Sequence, residues 1–236
     1  MSEGEAQPPR AHRLHQGGRL SFRRRVRQRG AAPAGLDLPL IVGGEDPPPL
    51  DELVPDGFDR VEIEIGPGKG AFVVAATEAK PDTFVLGIEA APAYASLAAQ
   101  RLAATGRTNG LLLVDNGKLY LEDRVPDASL DALHVYYPDP WPKRRHRGRR
   151  FFTDDVVPTL RRVLKADGLL LVATDNAAYA GQICVVLGAS PLFVRDLDAE
   201  RRLLAAPGHG FSPTNFERKY VLEGRVLRRY AWRPQG

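Results

Sequence analysis

The sequence predicts an α/β domain built on a doubly wound, mostly parallel sheet with a C-terminal antiparallel strand pair. Three observations predict it. Five short apolar or β-branched runs recur between residues 61 and 173, and helical spacing or helix-boundary residues fill the intervals. Glycines, acids and prolines stand directly after the runs, where sheets of this kind bind ligands. At 236 residues, 43% hydrophobic and 26% charged, the chain is long enough for a real core and excludes wholesale disorder. The single cysteine, Cys184, excludes an intramolecular disulfide framework and a multi-cysteine zinc site, and suits a reducing cytoplasm.

Residues 1–55 read as a basic, proline-rich arm and lead-in, with seven prolines before residue 50 and no apolar periodicity. Such a stretch cannot offset its ordering entropy, so residues 1–18 at least are expected to be disordered. Residues 1–30 hold no apolar segment of the secretory type, and no aliphatic run approaches the length of a membrane span. The folded domain is expected over residues 56–236.

Residues 61–65 form the first predicted strand, stopped at Gly66, and residues 71–76 a helix ended by Pro81. Residues 84–88 are the second strand and 92–104 the second helix, with Pro92 suited to its first turn. Residues 111–114 and 132–136 are strands three and four, with a short helix between them. Phe152, Val156, Leu160, Val163 and Leu164 lie at helical spacing, with Pro158 delaying or kinking that helix. Gly168 is expected to end it before the strand at 169–173, and residues 179–187 are the next helix. Residues 192–194 and 220–232 read as strands, with a loop around 199–215.

Charge is unevenly placed. The formal net charge is +4, yet residues 1–30 carry eight Arg against two Glu, and residues 143–150 carry six cations and no anion. Together these segments hold twelve net positive charges, which leaves the rest of the chain at −8. An acidic body with two basic patches suits a polyanion-binding protein.

After the first strand comes Glu64-Ile65-Gly66-Pro67-Gly68-Lys69-Gly70, where alternate glycines let the backbone turn and approach a ligand. The spacing is not that of a phosphate-binding P-loop. Glu89 follows the second strand, placed to accept hydrogen bonds from the ribose hydroxyls of an adenosine cofactor. Loop and acid together fit either a nicotinamide dinucleotide or S-adenosylmethionine, and the loop alone also fits a plain strand-to-helix turn. Asp115 and Asn116, after the third strand, suit an adenine edge or equally a helix cap.

After the fourth strand stands Tyr136-Tyr137-Pro138-Asp139-Pro140-Trp141-Pro142-Lys143-Arg144-Arg145-His146. Prolines on both sides preset the Asp139 carboxylate, and the cations behind it suit phosphates. Trp141 suits stacking on a nucleobase or, more commonly for this residue, anchoring the loop. Ala173-Thr174-Asp175-Asn176 and Ser212-Pro213-Thr214-Asn215-Phe216-Glu217 offer short polar groups to a base edge or sugar. Each of these alone is only a cap or a turn.

In this order the motifs resemble the bacterial tRNA (guanine-N7-)-methyltransferase family, which methylates the guanosine at position 46 of the tRNA variable loop. The resemblance runs over about residues 60–232, and the Pro-Asp-Pro-Trp block with its basic tail is its most specific part. It implies a Rossmann-like class I methyltransferase fold, S-adenosylmethionine as cofactor, tRNA as partner, a cytoplasmic location, no metal, and a monomer or homodimer. By motif position it implies Glu64, Gly66, Gly68, Glu89, Asp115, Asn116 and Asp139 around the cofactor, with Asp139 also catalytic. Lys143, Asp175, Thr214, Asn215, Phe216 and Glu217 would face the guanosine. Arg144, Arg145, His146, Arg147, Arg149 and Arg150 would face the RNA. Asn116, Gly148 and Asn215 depart from the family's usual residues.

Guanine N7 carries an in-plane lone pair and no proton, so the implied reaction needs orientation and charge compensation rather than a base at the nucleophile. Two rival classes remain. A nicotinamide-dependent oxidoreductase would need a catalytic Tyr-x-x-x-Lys pattern, which is not apparent; a non-catalytic RNA-binding relative would have no use for Glu89 and Asp139.

Overall fold

The computed structural model describes residues 38–205 and 222–235. Most of the arm and the Thr214, Asn215, Phe216 and Glu217 group lie outside the described residues. The chain runs β1 (Leu40–Val42), α1 (Leu50–Leu53), β2 (Arg60–Ile65), α2 (Ala71–Ala79), β3 (Thr83–Glu89), α3 (Pro92–Ala103), β4 (Gly110–Val114) and α4 (Gly117–Arg124). It continues through β5 (Leu130–Tyr136), α5 (Val157–Val163), β6 (Leu164–Thr174), α6 (Ala177–Gly188), β7 (Phe193–Arg195), α7 (Leu197–Ala205) and β8 (Arg228–Pro234).

The eight strands form one sheet in the order β1-β4-β3-β2-β5-β6-β8-β7. Pairings from β1 through β6 are parallel, and β8 joins β6 and β7 antiparallel. The predicted doubly wound architecture with its C-terminal antiparallel pair is therefore the observed one. From β2 the chain winds outward through β3 to β4, then crosses back to place β5 on the other side of β2. That reversal opens a crevice at the carboxyl ends of β2 and β5.

Alternation along the strands builds two cores. Phe84, Leu86 and Ile88 of β3, with Leu133 and Val135 of β5, pack on one face with Tyr120, Leu160, Tyr179 and Ile183 from α4, α5 and α6. Val85, Leu112, Tyr136 and Leu171 pack on the other with Phe72, Val73, Ala98, Leu102 and Ala199 from α2, α3 and α7. Fully burying one such Leu, Ile or Phe side chain is worth about 1.5–3 kcal/mol.

A cluster of polar side chains interrupts this apolar pattern on β2 and β5. Glu62 of β2 lies beneath α2, where both its oxygens accept from Lys80 Nζ at 2.8 Å and Oε2 meets His134 Nε2 at 2.9 Å. His134 Nδ1 in turn meets the Tyr136 hydroxyl at 2.8 Å. Burial works against the Glu62 carboxylate, but His134 and the Lys80 ammonium outweigh it and bring the carboxyl down to about 2. The same burial holds His134 below its ordinary value. A neutral ring that donates from Nε2 to Glu62 and accepts the Tyr136 proton at Nδ1 satisfies all three groups.

Four parts of the chain differ from the sequence expectation. The lead-in is part of the fold from residue 38: β1 pairs with β4, and Leu50 and Leu53 of α1 are buried. Gly168 does not end a helix. The helix behind Pro158 stops at Val163, the chain enters β6 at Leu164, and the strand register shifts between Leu130 and Ala132 of β5. A side chain at Gly168 would come within 3.0 Å of the Leu130 carbonyl oxygen, so glycine there permits the irregularity. The expected loop near residue 199 instead opens with helix α7, whose Ala199 N–H is capped by Asp196 at 2.7 Å. Among the helix residues whose burial is described, Ala199 and Glu200 are buried. The last strand begins at Arg228 rather than at residue 220. Among the described residues no helix is long and apolar enough to cross a membrane.

Candidate active site

A cleft of about 690 Å³ opens at the crossover, lined by the ends of β2, β3 and β5, the start of α4, and two parts of the following loop, residues 138–141 without Pro140 and residues 148–151. Gly66, Glu89, Asn116, Asp139, Arg149 and Arg150 line it together. Glu64, Gly68 and Asp115 stand behind these at the strand ends.

On the β2 side the chain turns through Gly66, Gly68 and Gly70 with φ of +72°, +55° and +73°. A side chain at Gly66 would meet nothing within 4 Å, so this backbone is bare toward the cleft. A side chain at Gly70 would come within 2.6 Å of Ala98 Cβ, so that glycine serves helix packing instead. Glu64 is 2% exposed, and its Oε2 has no hydrogen-bond partner. Burial, reinforced by the charge of Glu89, pushes its carboxyl well above the usual range, against a hydrogen bond from the Val73 backbone at the start of α2. Glu89 accepts from the Gly68 N–H at 3.0 Å and the Ala91 N–H at 2.9 Å, and burial raises it too, with Asp139 adding to the effect.

The buried Glu64 carboxyl and the half-buried Glu89, whose charge raises it, form a cradle short of positive charge. Leaving a buried polar atom unpaired costs about 1–3 kcal/mol. A ligand bringing cationic and hydroxyl groups fits this donor set, as S-adenosylmethionine would with its ammonium, sulfonium and ribose.

At the end of β4, Asp115 is buried and its Oδ1 accepts from the Asn116 N–H at 2.7 Å. Asn116 Oδ1 caps α4, accepting from Lys118 N at 3.0 Å and Leu119 N at 3.4 Å. The cap reading of Asn116 is thus realised, while its side-chain amide N–H groups remain for the cleft. Sequence reasoning missed Lys118, which lines the same cleft with Nζ donating to Thr153 Oγ1 at 2.6 Å. Burial lowers its pKa, opposed by Asp155 and Glu122. No spacing rule marks a lone lysine; only the fold of residues 151–153 over α4 reveals it.

The β5 loop is conformationally strained. Tyr137 and Trp141 have φ of +51° and +37°, a region where bulky side chains are outliers, and between them lie Pro138, Asp139 and Pro140. Tyr137 N–H donates to the Ala173 carbonyl at 2.7 Å, pinning the loop to β6, and Asp139 is exposed on the cleft wall. The basic run continues as a 3₁₀ helix (Arg144–Arg149) with no buried residue. Lys143, Arg144, Arg145, Arg147 and Arg149 are exposed. Trp141 has the Arg149 guanidinium 5.0 Å over its ring and the His146 ring against it at 5.7 Å, so the loop itself covers the tryptophan. His146 is half-buried there rather than directed to solvent.

Arg150 departs from the expected RNA face. It is 6% exposed, and its guanidinium is turned inward to the protein. Asp175, at the end of β6, is bonded through Oδ2 to Arg225 at 2.7 Å and is not among the residues lining the cleft.

Residues 59–229 match the model of a family described as "Putative methyltransferase". The tRNA (guanine-N(7)-)-methyltransferase of Magnetococcus marinus is 34% identical over 180 residues, covering 76% of this chain and 70% of that protein. The enzyme of the same description from Rhizobium meliloti is 32% identical over 213 residues, covering 88% and 90%. That of Rhizobium johnstonii is 32% identical over 179 residues, covering 76% of each. With the crossover cleft, the glycine turn and the Pro-Asp-Pro-Trp loop all inside the matched span, the chain belongs to the tRNA (guanine-N(7)-)-methyltransferase family.

Proposed function

We propose that the protein transfers a methyl group from S-adenosylmethionine to N7 of a guanosine in tRNA, at position 46 of the variable loop. The observation that carries this is the juxtaposition, in one cleft, of the under-compensated Glu64–Glu89 cradle and the strained Asp139 loop with its cationic run. Glu64, Glu89, Asp115 and the backbone at Gly66 and Gly68 would hold the cofactor, which supplies a methyl group activated on a sulfonium sulfur. Asp139 holds the guanine over the cleft and its carboxylate balances the positive charge that N7 methylation places on the purine. Asp175 accepts from the guanine N1–H and N2–H edge once it exchanges Arg225 for the base. Lys143 and the Thr214–Glu217 group close around the nucleotide. Arg144, Arg145, Arg147 and Arg149 meet RNA phosphates, offsetting part of the cost of unstacking the base. The reaction proceeds without a metal, in the cytoplasm where tRNA resides.

The test is incubation with labelled S-adenosylmethionine and unmodified tRNA transcript, followed by nucleoside analysis. Label in 7-methylguanosine, lost when the guanosine at position 46 is replaced, is the expected result. Label in another nucleoside, or none, overturns the reading.

A further inference from the structure

The two adjacent arginines that end the basic run have opposite surroundings. Arg149 is exposed above Trp141, whereas the Arg150 guanidinium is buried and bonded in four directions. Its Nε donates to the Pro140 carbonyl at 2.7 Å, one terminal nitrogen donates to the Trp141 carbonyl at 3.3 Å, and the other donates to Gln182 Oε1. Its plane lies 5.0 Å over the ring of Tyr179. Gln182 closes the circuit, donating from Nε2 to the Phe152 carbonyl at 2.8 Å, while the Tyr179 hydroxyl accepts from the Phe152 N–H at 3.2 Å.

The two carbonyls held by Arg150 belong to the residues directly after Asp139. They lie in the segment whose Tyr137 and Trp141 backbones are strained, and such strain persists only where surrounding bonds over-determine it. The partner groups lie on α6, the helix that begins two residues after Asp175. A planar guanidinium can serve two carbonyls, an amide oxygen and an aromatic face at once, which a lysine ammonium cannot.

We infer that Arg150 and Gln182 are positioning residues: they clamp the Asp139 loop to α6 and hold the carboxylate at its reacting angle, while Arg150 makes no contact with RNA. This rests on the proposed role of Asp139. The clamp also sets the distance between the Asp139 loop and the strand end that carries Asp175.

The test compares Arg150→Lys, Gln182→Leu, Gln182→Glu and Arg149→Ala in the full-length protein. Arg150→Lys and Gln182→Leu are expected to lower kcat by about tenfold to a hundredfold, as misplacement by an ångström can. Their tRNA affinity and its salt dependence should stay at the wild-type level. Gln182→Glu keeps an acceptor for Arg150 and should recover most of kcat. Arg149→Ala should do the reverse, weakening tRNA binding and flattening the salt slope. In a Trp232→Phe background, which leaves Trp141 as the single tryptophan for selective excitation, Gln182→Leu should raise quenching of Trp141 by acrylamide. A reduced salt slope in Arg150→Lys, or unchanged kcat and quenching in Gln182→Leu, overturns the clamp. If Arg150→Lys does not fold, the two Gln182 variants decide alone. Wild-type protein that transfers no methyl group sinks the functional reading instead, and the quenching result still judges the clamp.

Discussion

At the ends of β2 and β3 the cleft meets Glu89, with the buried Glu64 behind it; past the end of β5 it meets Arg149, part of a cationic run that the fold leaves in water. Glu64 and Glu89 sit on a stiff parallel ladder and behind a three-glycine turn, with one carboxyl oxygen unpartnered. Arg144, Arg145, Arg147 and Arg149 sit on a short 3₁₀ helix with no buried residue of its own. The two regions teach how one cleft can take a cation and a polyanion. A small cationic cofactor is matched by charge held in low dielectric, where each interaction is strong. A large polyanion is matched by exposed charges whose individual interactions are weak and salt-sensitive but many.

The sharpest way to break this contrast is Asp139→Ala, at the seam of the two walls. Turnover on unmodified tRNA should fall by about a hundredfold to a thousandfold, on the scale of losing one charge-stabilising group. Stability should stay within about 0.5 kcal/mol by thermal melting, since the side chain is exposed. Replacing Arg144, Arg145, Arg147 and Arg149 together by Ala tests the cationic wall. Affinity for tRNA should fall, and the slope of log affinity against log salt should flatten by roughly 0.7–0.9 for each phosphate no longer neutralised. Filter binding at several salt concentrations reads both.

Glu64 tests the acidic wall through pH. Its folded-state pKa is raised, so the fold holds an extra proton between the unfolded and folded values. Stability of the cofactor-free protein is then greatest below the unfolded value and falls as pH rises through the folded one. Binding a cationic ligand should ionise Glu64 and release its proton, so affinity weakens as pH falls. Calorimetry in buffers of different ionisation enthalpy measures that proton. Glu64→Gln should raise the melting temperature of the cofactor-free protein at neutral pH, weaken cofactor binding and remove its pH dependence. The smallest effect belongs to Asn116. Its side chain caps α4, so Asn116→Ala should cost about 1 kcal/mol of stability with cofactor affinity unchanged. A large loss of affinity would restore the adenine contact.

Much of this was legible in residue order. Strand runs, the glycine turn, Glu89 and the Pro-Asp-Pro-Trp block depend on local chemistry that a linear pattern carries. Helix α7 was not legible: the inward-facing residues described at its start are the small Ala199 and the ion-paired Glu200, which carry no apolar stripe. Nor was the entry of β6 before Gly168, which depends on pairing with a strand some 34 positions earlier at Leu130. Glu62 read as the polar side of an alternating strand; only its neighbours Lys80 and His134 make it a buried ion.

Sequence by itself determined the doubly wound class, the family, and which strand ends carry chemistry, because periodicity and turn residues act over a few positions. Tertiary structure decided which charges face solvent. Within a run of six cations, residue type could not separate Arg149 from Arg150, and burial is set by what folds against each. The carbonyls of Pro140 and Trp141, ten and nine residues back, and Gln182, thirty-two residues on, turn one of two identical side chains into the support of the site.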